Sequence, residues 1–118
     1  GVDQVLQGTW EHTENIQGFE VKMSQSWDGS GRSVTKVWLD GTLIEHIESA
    51  SKQDMSTSPS RSYDKLAKVI VTEPDHPRLV GEDFSCIYKV DGAKLTFDCG
   101  EDAYPANFTA DAVTFQKL

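Results

Sequence analysis

Long apolar runs are missing from this sequence. None approaches the roughly 20 consecutive apolar residues that a helix needs to cross a bilayer, so no membrane-spanning helix is expected. Basic residues are scarce. Eleven Lys and Arg stand against 19 Asp and Glu, for a formal net charge of −8. Nucleic acids and anionic membrane surfaces are bound mainly through Lys and Arg, so neither is an expected partner. The three histidines, His12, His46 and His76, lie far apart and show no HxH or HExxH spacing. No metal site and no cofactor is expected from them. There is no GxSxG elbow to expose a nucleophilic serine. Asp28-Gly29-Ser30-Gly31 lacks the Lys-Ser/Thr that would make it a phosphate loop. No catalytic residue is nominated. Acidic neighbours such as Glu11 with Glu14 or Glu101 with Asp102 lack the EF-hand pattern and read as solvated loop residues.

What the chain does have is alternation. Phe84, Cys86, Tyr88 and Val90 alternate with Ser85, Ile87 and Lys89, and Leu95, Phe97 and Cys99 alternate with Lys94, Thr96 and Asp98. This is strand periodicity on both sides of Asp91-Gly92, a strong hairpin signal because Gly tolerates the positive φ of tight turns. With residues 91–94 as the loop, Val90 faces Leu95, Tyr88 faces Phe97 and Cys86 faces Cys99. With a two-residue Asp91-Gly92 loop the cysteines become diagonal, but the same side chains share a face. A hairpin cannot bury such a face alone.

The rest of the chain repeats the pattern. A strand is expected after Leu6-Gln7-Gly8-Thr9-Trp10. Residues 20–27 alternate, with Val21, Met23, Gln25 and Trp27 on one face. Residues 33–39 form the next strand, where Val34, Lys36 and Trp38 compete with Thr35, Val37 and Leu39 for the inward face. Asp40-Gly41 turns into a strand over 42–48. Residues 49–64 are rich in Ser, Lys, Asp and Thr and read as a mobile loop with room for a short helical turn. Residues 65–72 are a strand, 73–77 a proline-stiffened turn, and 104–109 and 112–117 two last short strands. At 118 residues this is one domain, 1–118, with one modest core. Consecutive hairpins and few helical positions imply an all-β, antiparallel up-and-down barrel of about eight strands.

Two cysteines on neighbouring strands fit a Cys86–Cys99 disulfide and an oxidising compartment. The alternative is a pair of buried thiols. Val21, Met23, Trp27, Tyr88, Val90, Leu95 and Phe97 are expected to share one core. Within it Met23, Trp27, Tyr88 and Phe97 are the ligand-binding candidates. A barrel of this size is either filled by its side chains or holds one small apolar ligand, and the filled core is the expectation. Trp27 is placed toward a barrel end, beside the 28–31 loop, where it can form the lip of a cavity.

The opening Leu6-Gln7-Gly8-Thr9-Trp10 resembles that of lipocalin-like and fatty-acid-binding-like barrels. The segment Ile87-Tyr88-Lys89-Val90-Asp91-Gly92-Ala93-Lys94-Leu95-Thr96, with Gly100, Pro105 and Phe108 after it, resembles the second half of small bacterial lipocalin-like domains of the kind found in planctomycete proteins. The resemblance is anchored at the two ends; residues 16–82 carry no matching motif. It implies a meandering lipocalin-like (calycin-type) barrel in a secreted, periplasmic or envelope-associated protein, with Gly8 and Gly92 in backbone roles and Trp10 as an end plug. In larger lipocalins an Arg near the C-terminus covers that Trp; here the last strand offers Lys117, which lacks the planar fork. Gly1 reads as a remnant left when a tag or leader was removed. The function expected is non-enzymatic, with a small apolar ligand or a protein partner. The alternatives are a barrel-mouth enzyme of the isomerase or hydratase type, or a structural domain with a filled core. A buried, pKa-shifted carboxylate or His in the cavity favours the enzyme, and a smooth apolar cavity favours the binder.

Overall fold

The hairpin at 84–99 is formed by two strands, Asp83–Asp91 and Lys94–Gly100. Its register is the direct one, with Cys86 opposite Cys99, Tyr88 opposite Phe97 and Val90 opposite Leu95. The turn is Gly92-Ala93, closed by the Asp91–Lys94 pair. Gly92 has φ 61° at the first central position, where a type II′ turn takes glycine. Cys86 and Cys99 are disulfide-bonded across the pair.

The computed structural model describes residues 2–118; Gly1 lies outside the described residues. Strands β1 (Gly8–Ile16), β2 (Phe19–Trp27), β3 (Arg32–Leu39), β4 (Thr42–Asp54) and β5 (Ser60–Val71) precede the hairpin, which supplies β6 and β7, and β8 (Val113–Lys117) follows. Each strand pairs antiparallel with the next, and β8 pairs with β1, so the sheet closes into an eight-stranded up-and-down barrel. There is no helix among the described residues. No long apolar helix able to cross a membrane is present among them either.

One half of the barrel is solid. Leu6, Trp10, Trp27, Tyr88, Leu95 and Phe115 form the buried cluster, with Met23, Val90, Phe97 and Val113 packed against it. The turn at residues 4–6 tucks Leu6 into this end, and Trp10 Nε1 donates a 2.8 Å hydrogen bond to the Leu6 carbonyl. Lys117 Nζ lies 5.4 Å from the centre of the Trp10 ring. On β3 the inward face is the one bearing Ser33 and Thr35, which face the cavity. Trp38 is on the outer wall, with Lys22 Nζ 5.2 Å from its ring centre. Val21 shares the inward parity of Met23 but is only partly buried and stands outside the central cluster.

Two segments differ from the sequence reading. Residues 49–64 are not a loop: β4 runs on to Asp54, β5 begins at Ser60, and only 55–59 are turn. The alternation is there, but in polar residues. Ser49, Ser51 and Gln53 face Leu66, Asp64 and Ser62 across the ladder, and all six are buried. A hydropathy pattern cannot reveal a strand whose inward face is mostly Ser, Gln and Asp. Residues 104–109, expected as a strand, are irregular; Pro105 lacks the N–H that a ladder needs.

Candidate functional site

The inward polar face of β4 and β5 crosses the barrel just above the solid half. Gln53 organises it. Its Oε1 accepts from the Asp3 backbone N–H at 3.2 Å. Its Nε2 donates to Ser51 Oγ at 2.8 Å and to Ser62 Oγ at 3.2 Å. Trp27 Nε1 also donates to Ser51 Oγ, at 3.2 Å. Tyr88 OH donates to Asp3 Oδ2 at 2.7 Å, tying the N-terminal segment into the same network. Burial first, and the Asp3 carboxylate second, push the Tyr88 hydroxyl above its ordinary pKa.

Above this layer lies a cavity of about 270 Å³. Its apolar walls are Met23, Ile47, Phe84, Phe97, Val113 and Phe115, and its polar groups include Gln25, Ser33, Thr35, Ser49 and Asp64. Asp64 lies between Ser51 on β4 and Phe84 on β6 by register. It is 6% exposed. Burial pushes its pKa up to about 6, outweighing the neighbouring Ser51 and Ser62 hydroxyls, which favour the ionised form. One oxygen, Oδ1, has no hydrogen-bond partner among the described residues.

The rim carries the charge. Arg78, from the connection between β5 and β6, donates through Nε to Glu45 Oε1 at 2.9 Å. A second nitrogen lies 3.6 Å from Glu82 Oε2, and the guanidinium is 5.4 Å from the centre of the Phe84 ring. Desolvation lowers the Arg78 pKa, but the Glu45 and Glu82 carboxylates together raise it above the ordinary value. Asp98 also borders the cavity, with Oδ2 accepting from the Thr109 N–H at 2.7 Å and the Thr109 hydroxyl at 2.9 Å.

Of the four ligand-binding candidates, Met23 and Phe97 line the cavity. Trp27 and Tyr88 sit below it, 4% and 2% exposed, in the solid half. Trp27 is therefore part of the plug and not the lip, although its ring stays 5.6 Å from Phe97. The disulfide borders the cavity through both cysteines. Asp64, Glu45 and Arg78 were not singled out by the sequence, which placed Asp64 in a loop. The available signal was the period-two spacing of Ser49, Ser51 and Gln53 against Ser62 and Asp64. His12 and His46 lie on β1 and β4 and His76 in the connection after β5, none of them lining this cavity. The chain matches no protein-family profile, no curated protein and no solved structure.

Proposed function

We propose that this chain is a lipocalin-like binding domain that holds one small, largely apolar ligand in the open half of its barrel. The observation that carries this reading is the division of the interior. One half is plugged by Leu6, Trp10 and Trp27, and the other keeps a cavity of about 270 Å³ walled by Met23, Phe84, Phe97 and Phe115. That volume is near the lower limit for ligand pockets, so the ligand is small. The Cys86–Cys99 disulfide supports a secreted, periplasmic or envelope location, since disulfides persist in oxidising compartments.

A second reading, a barrel-mouth isomerase or hydratase, draws on Asp64, whose pKa of about 6 suits a general base. Binding is the better account because proton transfer needs a partner for the charge that develops. Arg78, the cation lining the cavity among the described residues, is already paired with Glu45 and Glu82.

The test is titration with the neutral dye N-phenyl-1-naphthylamine. Saturable one-site binding is expected, and Met23→Trp, which fills the cavity, should abolish it. Absence of saturation, or binding indifferent to Met23→Trp, overturns the reading.

A further inference from the structure

The polar layer beneath the cavity is built around a negative charge. Ser51 Oγ accepts from Trp27 Nε1 and Gln53 Nε2, and Ser62 Oγ accepts from Gln53 Nε2. With their acceptor sides engaged, each serine has one proton to give, and both hydroxyls lie beside the Asp64 carboxylate, where they favour its ionised form. No Lys, Arg or His bonds Asp64 among the described residues. An ionised carboxylate has about four acceptor sites, and Oδ1 has no partner. Oδ1 is itself buried, and the Asp64 side chain lines the cavity.

The charges around the cavity agree. Glu45, Asp64, Asp98 and Asp111 line it, against the single guanidinium of Arg78. Since Arg78 is paired with Glu45 and Glu82, an anionic ligand would find no free cation among the described lining residues. A cation would enter a site of net negative potential on a chain of net charge −8, where steering favours it. A divalent metal fits poorly: no group of three metal-ligating side chains is assembled among the described residues, whereas calcium takes six to eight oxygens. An ammonium needs only Asp64 and one or two neutral acceptors, and Ser49, Thr35 and Gln25 line the same space. The aromatic walls, Phe84, Phe97 and Phe115, suit an apolar body and attract a cation through their ring faces.

Resting on the binding reading above, we infer that the ligand is a small amine on an aromatic or aliphatic body of roughly a dozen heavy atoms, its ammonium group anchored by Asp64. Binding is then linked to protons. Asp64 must be ionised to hold the ammonium, and burial pushes its pKa up to about 6. Affinity for the amine is highest above that pH and falls about tenfold per unit below it. Ser51, Gln53 and Ser62, which surround Asp64, do not titrate in this range; Glu45, Asp98, Asp111 and Arg78 share the cavity, so the Asp64→Asn comparison is needed to assign the profile.

The experiment is calorimetric titration of the disulfide-intact chain with three matched probes, 2-phenylethylamine, 2-phenylethanol and n-propylbenzene, between pH 5 and 8. At pH 7.5 the amine should bind about tenfold or more tighter than the alcohol, the gain of a charge-assisted hydrogen bond. Asp64→Asn should bring the amine to the level of the alcohol, remove its pH dependence below 7, and leave n-propylbenzene, which has no donor, unchanged. The wild-type pH profile carries the test independently of how that variant folds. If the three probes bind alike and Asp64→Asn changes nothing, the amine inference falls and the binding reading stands. If none of them binds while N-phenyl-1-naphthylamine does, the amine inference falls alone; if the dye fails as well, both fall.

Discussion

Asp64 should destabilise the fold at neutral pH, and the size of the effect follows from its burial. Its pKa rises from 3.8 to about 6 on folding, so the folded state binds more protons than the unfolded state between those values. Stability therefore falls as pH rises through that window and levels off above it. A shift of about two units corresponds to roughly 3 kcal/mol, at 1.36 kcal/mol per unit. Asp64→Asn removes the charge at nearly constant shape. Relative to wild type, the variant should gain about 3 kcal/mol between pH 4 and pH 8, about 10 °C in Tm for a chain of this length. An amide is a weaker acceptor than a carboxylate for the neighbouring Ser51 and Ser62 hydroxyls, which adds a pH-independent offset, so the slope of the difference is the diagnostic. Urea unfolding followed by tryptophan fluorescence, at half-unit steps with the disulfide intact, measures it. A difference that stays constant across pH, or falls as pH rises, would refute the claim that a buried, under-bonded carboxylate lies beneath the cavity.

The two halves of the barrel should respond differently to truncation. Trp27→Ala, in the solid half, should cost about 3–5 kcal/mol by chemical denaturation, as large-to-small core changes do; a loss below about 1 kcal/mol would place Trp27 in an open pocket instead. In limited trypsinolysis, Lys52 and Arg61 should resist cleavage because both lie in paired strands, opposite Tyr63 and Asp54. The first cut is expected after Arg78, beside the exposed Leu79 and Val80; initial cleavage after Lys52 would show that the β4–β5 arm is not formed.

Much of the architecture is decided locally. The β6–β7 hairpin could be read from Asp91-Gly92 and its flanking alternation, and the Cys86–Cys99 bond from the register that follows, because strand period and turn chemistry are short-range properties. The inward faces of β2, β6 and β7 follow for the same reason, whereas alternation alone added a strand at 104–109 that Pro105 does not support. The burial of residues 49–64 is decided elsewhere. Ser49, Ser51, Gln53, Ser62 and Asp64 look like solvated loop residues until β3 and β6 close over them, Trp27 donates to Ser51 and the Asp3 N–H donates to Gln53. Whether the barrel is hollow is also a tertiary result. The same inward-facing aromatics fill one end, where Leu6 and Trp10 join them, and leave about 270 Å³ at the other, where Ser33, Thr35 and Ser49 are too short to meet across it. Residue spacing along a strand sets which way each side chain points, but the volume left between eight strands depends on all of them at once.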